Sequence, residues 1–167
     1  MEQLDLFAWR ARKKRSCKSR SACEWKIVSV RETEPDRLPA CDTPEHAVTY
    51  WRQHIATAAH FNPEVECFAV LLLNTRKRIR GHYVVSIGSL NEAIVHPREV
   101  FRAATIGAAY GVLLMHNHPS GDPSPSQADV KVTARLVESG RILQIEVIDH
   151  IVLGHNRHCS FREAGLI

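Results

Sequence analysis

A chain of 167 residues with 44% hydrophobic and 24% charged residues has the size and balance of one ordinary globular domain, with enough apolar material for a core that needs neither disulfides nor a structural metal. Its net charge of +4 is unevenly placed: seven basic residues from Arg10 to Arg20 stand against Glu2 and Asp5, so the first 20 residues sum to +5 and the remainder to −1. No apolar run approaches the roughly 18 residues of a membrane helix, and the start MEQLDLFAWRARKKRSCKSR lacks an apolar signal core, which points away from membrane and secretion and toward the cytoplasm.

The basic start reads as irregular, and residues 1–43 as a flexible segment and linker. Two readings of it stand: a solvated tail, or an arm that contacts DNA or another acidic partner. The first helix signal follows. Thr43 can cap, Pro44 suits the first helical position and Glu45 favours the positive end. Val48, Trp51 and Ile55 recur at helical spacing as one buried face, and Asn62-Pro63 ends the element. VECFAVLLLN (65–74) reads as a buried strand, TRKR as a polar turn, and IRGHYVVSIG (79–88) as the antiparallel partner of a hairpin. Pro97 opens a second helix, PREVFRAATIGAAY, closed by Gly111. VLLMH (112–116) is a short, fully apolar strand.

HNHPSGDPSPSQAD (116–129) follows that strand directly. A third helix is expected after it, with Ser124 as N-cap, Pro125 at the first position, Gln127 completing a capping box and Gly140 as the stop. RILQIEVIDHIVLG carries one or two closing strands. Strands and helices alternate around a hairpin, which predicts an α/β fold with a mixed β-sheet and a β-hairpin flanked by helices.

Residues two apart at a strand end point to one side, so His116 and His118 can converge. Ser126 and Asp129, three apart, share a helix face. Two neutral imidazoles and a carboxylate form a three-ligand zinc set that leaves a fourth position for water, as catalytic sites do. Hydrolysis at such a site also needs a carboxylate base and a donor for the oxyanion. Ser126 beside Asp129 is placed for the donor role.

The spacing H-x-H-P-x6-S-x-x-D, filled here by His116, His118, Pro119, Ser126 and Asp129, resembles the JAMM signature of the JAB/MPN metalloproteases. HNHPSGDPSPS, preceded by HPREVFRAA and followed by IDHIVLG and SFREAGLI, resembles the RadC-like branch of that family. The resemblance runs from about residue 44 to 167 and implies a single JAB/MPN-type domain. It further implies one Zn2+ held by His116, His118 and Asp129, an oxyanion contact from Ser126, and a base on the first hairpin strand. Glu66, before Cys67-Phe68, matches the family's E-x-F position; Glu64 is close by but outside the strand pattern. The activity implied is a zinc-dependent metallopeptidase acting on peptide or isopeptide bonds of a protein substrate. The alternative is a DNA-associated accessory protein of DNA repair or mobile elements. Longer RadC-like proteins carry a helix-hairpin-helix region ahead of the domain, where this chain has the basic segment, and that departure weakens a transferred DNA role.

Several nearby features read as structural. Asp149-His150 is expected to be a structural pair at a strand end. His155 and His158 sit in a polar turn, and Asp122 in a turn between glycine and proline. Asn117 and Ser120 should brace the loop, Cys67 should be a buried thiol and Trp51 a core residue. Five cysteines without a C-x-x-C pair argue against a disulfide framework or a cysteine zinc site. A zinc deaminase would need H-x-E and P-C-x-x-C, and neither occurs.

Overall fold

The computed structural model describes residues 38–88 and 95–167. The basic residues from Arg10 to Arg20, with Cys17 and Cys23, lie outside them. Among the described residues the fold is α/β: a five-stranded mixed sheet with three α-helices. The strands are β1 (Cys67–Leu73), β2 (Ile79–Ile87), β3 (Gly111–Asn117), β4 (Glu146–Leu153) and β5 (His158–Ser160). The helices are α1 (Pro44–Tyr50), α2 (Pro97–Ile106) and α3 (Gln127–Leu143). The sheet order is β2-β1-β3-β4-β5. Only β3 and β4 pair in parallel, and α3 is their crossover.

The expected hairpin is present. Its turn is built by Asn74, whose side-chain oxygen accepts from the N–H groups of Arg76 and Arg78. On the first face of the sheet, Ala69, Leu71, Leu73, Leu113 and Met115 pack against Ala47, Val48, Trp51 and Ile55. On the second, Phe68, Val70, Val112 and Leu114 meet Phe101 and Ala104 of α2 and Val132 and Leu136 of α3. Central strands covered on both faces explain the unbroken apolar runs in β1 and β3. Leu38 and Cys41, just ahead of α1, are buried, and Ala40 bridges to Arg78 beside the hairpin turn.

Four helix boundaries differ from expectation. The first helix keeps Pro44 in its first turn, but after Tyr50 it loosens into a π-helical turn, Trp51–Ile55, and stops there. Asn62 serves a separate turn, accepting from Glu64 N–H. The second helix ends at Ile106, and Ala108, at φ 46°, turns the chain so that Gly111 begins β3. The third helix starts at Gln127 with Ser126 as its cap, because Ser124 is engaged by the Asp122 carboxylate. It also runs past Gly140. A Cβ there would lie 2.5 Å from the Ile145 carbonyl oxygen and 3.1 Å from the Phe101 ring, so this glycine permits close packing, and Gln144 in the left-handed region ends the helix. Among the described residues, no helix is long and apolar enough to cross a membrane, and Cys41, Cys67 and Cys159 are free thiols.

Candidate metal centre

The second face of β3 supplies the first ligand candidate. Val112 and Leu114 point toward α2 and α3, and alternation aims the next side chain, His116, at the N-terminal turn of α3. There the capping box holds Asp129. The Ser126 N–H donates to Asp129 Oδ2 at 2.7 Å, and the Asp129 N–H donates to Ser126 Oγ at 3.2 Å. The box anticipated for Ser124 and Gln127 is therefore made two residues later. Asp129 is the shorter carboxylate that completes it, with one oxygen turned toward the histidines.

His118 follows the end of β3. Its N–H donates to the Leu153 carbonyl at 2.9 Å, and the loop turns at Gly121, φ 80°. Only glycine suits that position, because a Cβ would also come within 2.6 Å of the His155 ring. A side chain at Gly154 would collide with the Gly121 carbonyl, so the histidine loop fits closely against the turn after β4.

These elements bring His116, His118 and Asp129 together, with ligand atoms all within 4.8 Å of one another. The two Nε2 atoms are 3.0 Å apart. His116 Nε2 lies 3.3 Å from Asp129 Oδ1, and His118 Nε2 lies 3.5 Å from Oδ2. His118 Nδ1 is 2.8 Å from the Asp122 carbonyl oxygen. A carbonyl only accepts, so Nδ1 carries the proton and the neutral ring keeps its Nε2 lone pair for the centre. Burial disfavours charge on Asp129, and the Ser126 N–H bond to its carboxylate opposes that. Imidazole nitrogens and a charged carboxylate facing one point form a donor set that suits a divalent cation. The cluster could hold a metal ion.

Glu66 lies immediately before β1, half-buried, with its carbonyl accepting from Gly88 N–H at 2.8 Å. Phe68 pairs with His116 across the β1–β3 ladder, which puts Glu66 at the same end of the sheet as the histidines. Asn117 secures it. Its side-chain oxygen accepts from Cys67 N–H at 2.9 Å and its amide donates to the Val65 carbonyl at 3.1 Å, one contact on each side of Glu66. The residue between the two histidines thus clamps the segment that carries the glutamate. Glu64 is exposed and borders a cleft of about 200 Å³ that also touches His118, Trp51, Phe61 and Leu153. A larger cleft of about 500 Å³, lined by Tyr110, Gly140, Glu146 and Ile167, contains none of the site candidates.

His150 was read from sequence as half of a structural pair with Asp149. Asp149 is structural: it accepts from the N–H groups of His150 and Arg162 and from the Ser160 hydroxyl. The His150 side chain lies elsewhere. It is fully buried within β4, with Nε2 2.8 Å from His116 Nδ1, so it belongs to the candidate centre. Burial, reinforced by the neighbouring His116, pushes its pKa well below the ordinary imidazole value. The available signal was a histidine inside an otherwise apolar strand, IDHIVL, and its partner across the sheet was not readable from spacing.

The model of the RadC-like JAB domain family matches residues 41–166. Among curated proteins, the chain is similar to a UPF0758 protein of Methanosarcina acetivorans, 50% identical over 102 residues, covering 61% of this chain and 44% of that protein. A UPF0758 protein of Caldanaerobacter subterraneus subsp. tengcongensis is 54% identical over 100 residues, 60% of this chain and 43% of its own length. One from Bacillus cereus is 46% identical over 125 residues, 75% of this chain and 53% of its own length. The chain spans about half the length of the curated relatives it matches.

Proposed function

The chain belongs to the RadC-like JAB domain family, and from that premise we propose that it is a zinc-dependent hydrolase of peptide or isopeptide bonds in the reducing cytoplasm. The observation that carries this reading is the convergence of His116 Nε2, His118 Nε2 and the Asp129 carboxylate at the end of β3. These three would hold the ion. Zinc bound there would supply a Lewis acid that lowers the pKa of water and polarises a scissile carbonyl. Glu66 is the base: it accepts a proton at its carboxylate and returns it to the departing amine. Asn117 holds the backbone on both sides of that glutamate. Ser126 serves twice. Its lone pair caps α3 by accepting from Asp129 N–H, and its O–H is the donor for the developing oxyanion.

The test is to incubate the zinc-loaded protein with a complex peptide and protein mixture and identify new amino termini by mass spectrometry. Parent protein should generate them, chelator should stop it, and Glu66→Gln should keep zinc but cut turnover by about 100-fold or more, the scale of general-base catalysis. Cleavage at the parent rate by Glu66→Gln would reassign the base. Failure of the parent to take up zinc would overturn the metal reading.

The seven basic residues of the first 20 favour a second reading, an accessory protein that contacts DNA. That reading expects DNA affinity to fall steeply with salt and to vanish when residues 1–20 are removed. Equal binding by the truncated protein would exclude the segment as the contact.

A further inference from the structure

The hydrogen bonding of His116 continues away from the candidate centre and returns to it. His116 Nδ1 lies 2.8 Å from His150 Nε2. His150 Nδ1 lies 2.6 Å from Thr133 Oγ1, and the Thr133 hydroxyl donates to the Asp129 carbonyl at 2.5 Å. Both His150 and Thr133 are fully buried. The His150 ring stacks on Phe161 at 4.7 Å and meets the edge of Phe68 at 5.5 Å, so its orientation is set by packing.

One assignment of protons satisfies every contact in this chain. A backbone carbonyl only accepts, so the single hydroxyl proton of Thr133 points to Asp129. Thr133 Oγ1 must then accept from His150 Nδ1–H. His150 is fully enclosed against Phe68 and Phe161; as a neutral ring it has one proton, already given to Thr133, so its Nε2 is a lone pair. That lone pair accepts from His116 Nδ1–H. His116 Nε2 is left as a lone pair facing Asp129 Oδ1 at 3.3 Å. The circuit begins at the main chain of Asp129 and closes at its side chain.

We propose that Thr133 and His150 are positioning residues that fix His116 in the tautomer whose Nε2 binds a divalent cation of the zinc class. This rests on the metal reading above, and it adds two residues that hold no metal themselves. Without the circuit, His116 would divide between two tautomers, and in one of them a proton would occupy the nitrogen that must coordinate. Outer partners of this kind change metal affinity by about 10- to 100-fold.

Two measurements on the full chain test it. The first is the tautomer of His116 in metal-free parent protein, read by long-range proton–nitrogen NMR about two pH units above the ordinary imidazole value. The expected spectrum has the proton on Nδ1; a proton on Nε2 overturns the proposal. This reading needs no variant and no bound metal, so it stands apart from the metal reading. The second is zinc affinity by competition with a chromophoric chelator. Thr133→Val, nearly isosteric, should weaken zinc by about 10-fold or more and mix the His116 tautomers. Thr133→Ser, which keeps the hydroxyl, should restore both. His150→Gln, whose amide oxygen can accept from His116, should bind more tightly than His150→Phe. Parent-like affinity and an unmixed tautomer in Thr133→Val would refute the positioning role. A parent that binds no zinc while showing the expected tautomer would sink the metal reading and leave the circuit as a structural one.

Discussion

The two faces of β3 begin alike and end differently. On one, Leu113 and Met115 run into the apolar layer of Trp51 and Ile55. On the other, Val112 and Leu114 lie against Val132 and Leu136, and the next inward residues are His116 on the strand and Thr133 and Asp129 on the helix. Both faces are buried, so burial does not separate them. They differ in what burial demands. The first face is satisfied by contact alone. The second encloses imidazoles, a carboxylate and a hydroxyl, each of which needs a partner. The capping box of α3 and the His150–Thr133 circuit supply most of those partners, and a cation would supply the last.

The largest effect expected from this contrast falls on the apolar face. Met115→Ala removes a fully buried side chain, which should cost about 2–5 kcal/mol, as large-to-small core changes do. Because the lesion is on the other side of the sheet, added zinc should stabilise this variant by the same increment as the parent. Thermal or urea unfolding with and without zinc measures both quantities. A zinc increment that shrinks with Met115 would show that the faces are coupled through the strand.

The same contrast explains what could be read from the sequence. Apolar runs specified β1 and β3 as covered strands, and the polar turn after Leu73 specified the hairpin. Thr43-Pro44 and Pro97 marked two helix starts where they fall. The loop 116–129 was harder, because three serines and two aspartates compete for one cap. Ser124 satisfies the usual pattern with Gln127, yet Asp122 engages it and Ser126 caps instead. Gly140 was misleading in a similar way: it serves contact with Ile145 and Phe101, not helix termination. His116, His118 and Asp129 were legible as a group because they are close in sequence. His150 and Thr133 were not, since their link to His116 exists only through the β3–β4 pairing and the placement of α3.

The next effect belongs to the polar face. A ligand that binds only the folded state stabilises it by about 2.7 kcal/mol at 100 times its dissociation constant. Zinc at that excess should raise the parent's unfolding free energy by about this amount. His118→Ala should abolish the increment and change metal-free stability far less than Met115→Ala, because His118 is partly exposed beyond the strand. An increment that survives in His118→Ala would place zinc elsewhere. Loss of the metal-free fold in that variant would instead make His118 structural, and the contrast between the faces would fail.

The smallest effect tests whether the apolar face tolerates any charge at all. Cys67, beside Glu66, is almost completely buried in that layer, and burial pushes its thiol up to about 11. Cys41 in the same cluster is likewise raised to about 11, by burial first and then by Asp42. In an unfolded chain both thiols would ionise near 9. The folded state therefore retains protons that the unfolded state releases, and stability is intact below that value and falls as pH rises from there to about 11. One pKa unit corresponds to about 1.4 kcal/mol, so the loss at the middle of this window should be on the order of 1 kcal/mol per thiol. Urea unfolding across the window should show this decline, and Cys67→Ala should remove about half of it while also lowering stability at neutral pH. The folded protein should resist thiol reagents at Cys67 until it unfolds. Rapid labelling of Cys67 in the native state would mean that this layer opens next to the glutamate, so that Glu66 would stand on a mobile edge and not on the closed face of the sheet.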